Sequence, residues 1–314
     1  MKTAPDSPSP VPEHRPASPA LHYIVADSGL GGLSIFADLV EGLRARGGPP
    51  RVALTFFNAC PAPDRGYNRM ADTAEKIRVF DRALEGMAAL RPDLILIACN
   101  TLSVLYDRTP FARRSIVPVL DIIGFGVEAI GAWLTAHPDG RALVLGTPTT
   151  VEADTHRAAL RAWGFATDRL AAQACDRLAG VIEKGPDAAA VKDLIERYVG
   201  EAASRFQDRR SPLAAALCCT HYGYSRPWFE AALRRHFAGP VTLLDPNHAM
   251  SEAALRRIPT AVGSASALTL DVLSRHALEQ GRVTAIAGVL ERRSPETAAA
   301  LRCYRHRPDL FRDT

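Results

Sequence analysis

Among the six cysteines of this 314-residue chain, two stand where an apolar run stops and small polar residues begin. Leu94 to Ser103 reads LILIACNTLS, with Cys99 ahead of Asn100 and Thr101, and Leu213 to Tyr224 reads LAAALCCTHYGY, with Cys219 ahead of Thr220 and His221. A thiolate is a competent base and its conjugate thiol a competent acid, with an ordinary pKa of about 8.5 that helix N-termini and neighbouring donors lower toward neutrality. Set on opposite faces of one carbon, two thiols suit inversion: one takes a proton while the other delivers one. Negative charge then develops on the substrate carboxylate, where donors such as Asn100, Thr101, Thr150 and Thr220 could stabilise it without reorganising.

Such residues need a rigid frame. Both cysteine stretches have the length and composition of buried parallel strands that feed a loop at the carboxyl end, where ligands of open α/β sheets sit. Leu21 to Ala26 is another short strand, running into Asp27-Ser28-Gly29-Leu30-Gly31-Gly32 and then a helical pattern through Leu33, Phe36, Leu39, Val40 and Leu43. Its glycines could let a carboxylate or phosphate approach the helix N-terminus, or could serve tight packing of strand on helix. The spacing is not that of a dinucleotide fingerprint.

Further strands are expected at Arg51 to Phe57, Val117 to Ile122, Ala142 to Gly146, Val241 to Leu244 and Val283 to Val289, with the one at Val241 returning to the first sheet. Helices are expected over Ala71 to Leu90, Glu152 to Trp163, Arg177 to Glu183, Asp187 to Phe206, Arg226 to Phe237 and Ser294 to Cys303. One more should start at Pro246 with Asn247 as its cap. The fold class is α/β: two pseudosymmetric halves with mainly parallel sheets flanked by helices and a cleft between them.

At 47% hydrophobic, the chain can bury two cores of ordinary size. Its charge of +4 comes from evenly mixed signs without a basic cluster, which argues against nucleic acid. None of the four lysines, Lys2, Lys76, Lys184 and Lys192, sits at a strand end where a Schiff base would be presented, so cofactor-free chemistry is expected. The cysteines form no C-x-x-C pair and no zinc spacing; reduced thiols in the cytoplasm fit best, and no run reaches the ~18 apolar residues of a membrane span. Cys60, Cys175, Cys218 and Cys303 are read as small buried hydrophobes. Residues 1–20 carry six prolines and almost no large apolar side chain, so disorder is expected there.

Five ordered motifs, DSGLGGLS at 27–34, ACNTLS at 98–103, GTPTTV at 146–151, ACDRLAGVIEKG at 174–185 and CCTHYGY at 218–224, span nearly all of the chain after residue 20. In these the chain resembles the aspartate/glutamate racemase superfamily, and within it the glutamate racemases. The resemblance implies a cofactor-independent racemase with its site between two domains, 21–122 rejoined by 232–314, and 123–231. It implies that Cys99 acts on the D-enantiomer and Cys219 on the L-enantiomer, with Asp27 assisting Cys99, and Glu183 and His221 assisting Cys219. Ser28, Asn100, Thr101, Thr150 and Thr220 would hold the amino acid. Relatives of this kind are commonly homodimers, though no stripe of residues here locates an interface.

The chain departs from that pattern in the loop after the second strand. CPAPDRGYNRM from Cys60 to Met70 stands in place of Pro-Tyr-Gly, leaving Gly66-Tyr67 as the nearest equivalent. Arg65 could clamp a distal carboxylate through its planar fork, or could be a solvated loop residue. Three readings therefore stay open: a racemase of glutamate or aspartate, serving cell-wall or secondary-metabolite assembly; a related racemase or isomerase acting on another acid; and a binding homologue without turnover.

Overall fold

The computed structural model describes residues 21–46, 51–63, 65–259 and 267–312; the stretch 1–20, with the disorder expected of it, lies outside them. Strands β1 (Leu21–Asp27), β2 (Arg51–Asn58), β3 (Leu94–Ile97), β4 (Val119–Asp121), β5 (Arg141–Gly146), β6 (Leu170–Ala174), β7 (Leu213–Cys218), β8 (Val241–Leu244), β9 (Ala267–Ser274) and β10 (Arg305–His306) form two sheets. The first has the order β10-β9-β2-β1-β3-β4 and the second β6-β5-β7-β8, with every pairing parallel.

Period-2 alternation assigns each strand residue to a face. In β1, Val25 joins Leu54, Phe56 and Leu96 under the helix Leu33–Ala45, whereas Ile24 and Ala26 join Phe57, Ile95 and Ile97 under the helix Thr73–Ala89. The same alternation separates the adjacent cysteines at the end of β7. Cys218 packs with Val144 and Ile130 of the helix Ile123–Ala136, and Cys219 lies on the other face with Leu143, Leu217 and the helix Ala189–Ser204. Only Cys219 is therefore turned toward the thiol chemistry expected of it.

Each sheet reverses its winding once, between β1 and β3 and between β5 and β7, which opens a crevice at those carboxyl ends. Asp27 and Cys99 end one crevice; Thr147 and Cys219 end the other. That is the pseudosymmetry suggested by the two cysteine strands.

Several expected elements are corrected. Strand β8 hydrogen-bonds to β7, Leu213 opposite Val241, so it is an edge of the second sheet and does not return to the first. The return to the first half begins with the helix Pro246–Leu255, which packs on Leu33–Ala45; its cap is Asp245, whose carboxylate accepts from the Asn247 amide at 3.1 Å, rather than Asn247 itself. The stretch 283–289 is helical, within Gln280–Leu290, and its buried Val283, Ile286, Ala287 and Leu290 keep helical spacing. Strands β6 and β9 were not anticipated; β9 lies along the whole of β2. No helix among the described residues is long and apolar enough to cross a membrane.

Candidate active site

The turn after β1 brings the two halves together. Asp27, fully buried, accepts hydrogen bonds from the Gly29 amide at 2.9 Å and from the Thr220 hydroxyl at 2.8 Å. A Cβ on Gly31 would fall inside van der Waals distance of Thr220 Oγ1 and the His221 ring, and one on Gly29 would strike the Glu183 carboxylate. The glycines are thus required by close approach of the two halves. The carboxylate at this helix start is the protein's own, since the Leu30 amide donates to Glu183 Oε1 at 2.7 Å.

Around Cys219 the order is thiol, imidazole, carboxylate. His221 Nδ1 is 3.7 Å from Cys219 Sγ and its Nε2 2.7 Å from Glu183 Oε1. Burial pulls the His221 pKa down, but the hydrogen bonds to Cys219 and Glu183 outweigh it and hold the imidazole well above its usual range. Burial likewise pushes Glu183 up, and His221, the Leu30 amide and Arg282 overcome it, leaving the carboxyl below its usual range. The charged pair is an imidazolium on a carboxylate, with Nδ1–H directed at sulfur.

Cys99 is built differently. Its sulfur lies 3.1 Å from Ser28 Oγ, and burial, reinforced by the negative charge of Asp27 and opposed by Ser28, pushes its pKa up to about 12. Asp27 is itself raised, by burial above all, against the pull of His221 and Thr220. The expectation that donors lower both thiols toward neutrality is therefore overturned for Cys99, which rests as a thiol. A carboxylate or thiolate sheds its water at a cost unless a cation offsets it, and burial beside Asp27 offers Cys99 no such offset.

The hydroxyls expected to hold substrate form a connected set. Thr101 Oγ1 is 2.8 Å from Thr147 Oγ1, which is 3.0 Å from Thr150 Oγ1. Asn100 is buried, and neither its Nδ2 nor its Oδ1 has a hydrogen-bond partner. A buried amide left unpaired is costly, which sets Asn100 apart from the bonded hydroxyls around it.

A cavity of about 620 Å³ opens beside this set; Thr147 is in its wall, whereas Asn100, Thr101, Thr150 and Thr220 are buried and are not. Ser28, Glu183 and His221 form part of its wall, with Cys99 and Cys219 immediately behind, each 6% exposed. Gly66 and Tyr67 also line it, but the Tyr67 ring packs edge-on against Phe80 and its hydroxyl donates to the Ala59 carbonyl at 3.1 Å. Only the backbone of Tyr67 can face a ligand. Arg65 is not part of the wall and forms an ion pair with Glu75, which corrects the idea of a free distal clamp.

Sequence reasoning missed several neighbours. Thr147 sits inside the quoted GTPTTV motif yet went unassigned. Cys60 and Cys175 line the cavity, and Cys303 is exposed, so the reading of these as buried apolar residues holds in full only for Cys175 and Cys218. Lys76, buried in the helix Thr73–Ala89, donates from Nζ to Thr149 Oγ1 at 2.9 Å, bridging the halves. His276 and Arg282 reach the wall from the C-terminal segment, which carried no motif. Among the described residues no group of His, Cys, Asp and Glu could hold a metal ion.

Two parallel α/β sheets face each other across a crevice, and each brings a buried cysteine to it. The family model for Asp/Glu/Hydantoin racemase matches residues 29–254. A glutamate racemase of Syntrophus aciditrophicus is 31% identical over 75% of this chain and 80% of its own length, and one of Granulibacter bethesdensis is 31% identical over 76% and 79%. The chain belongs to the Asp/Glu/Hydantoin racemase family, and its enzymatic class is that of a racemase. The glutamate racemase of Campylobacter jejuni subsp. jejuni has the same fold, with a TM-score of 0.62 at 23% identity, covering 86% of this chain and 98% of that one. The enzyme of Francisella tularensis, solved in complex with D-glutamate, superposes with a TM-score of 0.63 at 19% identity, covering 87% and 95%.

Proposed function

We propose that the chain interconverts the L- and D-forms of an acidic amino acid, glutamate or aspartate, by cofactor-independent two-base proton transfer between Cys99 and Cys219. The observation that carries this reading is the placement of the two thiols at matched reversals of two parallel sheets, behind a shared cavity wall formed by their own partners Ser28 and His221. Cys219, hydrogen-bonded to His221, takes the α-proton of the L-enantiomer, while the Cys99 thiol delivers a proton to the opposite face; the D-enantiomer reacts with the roles reversed. His221 and Glu183 serve Cys219, and Asp27 with Ser28 serves Cys99. Asn100, Thr101, Thr150 and Thr220 hold the α-carboxylate and amine, and the backbone at Gly66 and Tyr67 faces the distal end.

The division into two domains that close on the substrate is part of the same proposal, with the return to the first placed after β8, near residue 245. The solved relative bound to D-glutamate supports a small amino acid as the ligand. The test is incubation with both enantiomers of glutamate, aspartate and several neutral amino acids in deuterated water, following α-deuterium and optical rotation. Exchange with inversion is expected for an acidic amino acid, and none with any substrate would end the proposal. Cys99→Ser and Cys219→Ser should each lower racemisation by roughly 10³-fold or more, because inversion needs an acid and a base on opposite faces. Either variant keeping most of the activity would remove the paired-thiol mechanism.

A further inference from the structure

Glu183 is gripped from three directions. Its Oε1 accepts from the Leu30 amide and His221 Nε2, each at 2.7 Å, and its Oε2 accepts from Arg282 Nη1 at 3.1 Å. The amide comes from the turn after β1, the imidazole from the turn after β7, and the guanidinium from the C-terminal helix Gln280–Leu290. Arg282 sits in the first turn of that helix, where the macrodipole disfavours a cation. Its place is therefore not explained by the helix. Glu279, which precedes the helix, holds the Arg282 Nε at 3.1 Å and turns the fork inward.

We propose that Arg282 is a positioning residue for the reaction: through its guanidinium–carboxylate contact it holds Glu183 directed at His221, and so readies the Cys219 side of the site from the opposite half of the molecule. The role given to Cys219 rests on the proposed function, but the contact with Glu183 stands independently. His221 is the first cation on Glu183, and apart from it the other groups around the carboxylate do not replace Arg282. Asp27, Cys60 and Tyr224 raise or leave unchanged the cost of a negative charge, His276 is half-buried and loses its proton easily, and Lys184 is exposed at the rim. Arg282, 28% exposed and in direct contact through Nη1, adds a guanidinium to the imidazole of His221 on the same carboxylate.

The sign follows from that charge. A guanidinium beside a carboxylate favours the ionised form, so without it Glu183 takes a proton at higher pH and releases His221. The experiment is a titration of the Glu183 carboxyl by carbon NMR in the full chain, assigned with Glu183→Gln, in the parent, Arg282→Gln and Arg282→Lys. The Gln variant should titrate at higher pH than the parent, and the Lys variant should restore most of the difference. In racemisation assays the Gln variant should lose kcat by roughly tenfold near pH 6 with KM within about threefold, and the acid limb of kcat should move upward. A parent-like Glu183 titration in Arg282→Gln overturns the proposal. So does a loss confined to KM, which would make Arg282 a clamp for the distal carboxylate. If the parent racemises none of the amino acids tried, the proposed function fails while the titration still decides the role of Arg282.

Discussion

Two thiols of one kind sit in opposite electrostatic settings. Burial, with the charge of Asp27 behind it, pushes the Cys99 thiol up; hydrogen bonds to Cys219 and Glu183 hold the imidazole of His221 above its usual range. The sequence already pointed to this asymmetry, because only Cys219 is followed within two residues by a histidine. Asn100 was legible as a donor but not as an unpaired one, since pairing depends on what the fold brings near it. That unpaired amide separates stability from activity. Asn100→Ala should change the unfolding free energy by less than about 1 kcal/mol in either direction, because no native hydrogen bond is lost. The same variant should lower kcat/KM by roughly 10²-fold if the amide meets the charge that develops on the substrate. Thermal denaturation and racemisation of the same preparation check it; a destabilised but active variant would show the amide to be structural.

At the scale of elements, the strands that end in the candidate site residues were readable and others were not. Strands β1, β3, β5 and β7 are central, hydrophobic on both faces and followed by polar turns, so composition and length agree. Strand β6, LAAQA, is rich in alanine and becomes a strand only through pairing with β5. Strand β9 alternates, but no residue before Val272 is fully buried, and Thr269 and Asp271 interrupt its apolar run. The helix Gln280–Leu290 was mistaken for a strand because Val283, Thr284, Ile286 and Val289 favour strands by type, although its buried residues keep helical spacing. Sheet membership of β8 could not be read from local sequence at all. The glycine turn shows the reverse case: its residues were visible, and the second half of the molecule was needed to decide between ligand and packing. Gly31 does not occupy a left-handed conformation, so an alanine there is excluded by the approach of Thr220 and His221 alone. Gly31→Ala should therefore fold, and should lose roughly tenfold or more in kcat/KM by holding the halves apart. Gly288→Ala, inside a helix with no atom within 4 Å of the added carbon, is the matched control and should gain about 0.5–1 kcal/mol with parent activity. If Gly31→Ala kept full activity, the close approach would not matter for catalysis.

On the scale of the whole molecule, two similar half-structures enclose two thiols in dissimilar settings, and under the proposed mechanism equilibrium limits how that dissimilarity can appear. Mirror-image amino acids have equal free energies in water, so their equilibrium constant is unity at every pH. The ratio of kcat/KM in the two directions must equal that constant, whatever the resting state of each thiol. The raised Cys99 and the imidazolium beside Cys219 can therefore separate the two directions only in kcat and KM taken singly, because those report which complex accumulates. The expected outcome is that pH profiles of kcat/KM for the L- and D-enantiomers superimpose, while the two kcat profiles do not. His221→Asn should lower both kcat/KM values by the same factor and the two kcat values by different ones. Polarimetry from each enantiomer, from pH 5 to 10, measures all four quantities. A kcat/KM ratio that departs from unity would mean that the two substrates are not simple mirror images, and would redirect the search toward an acid carrying a second stereocentre, for which the cavity of about 620 Å³ has room.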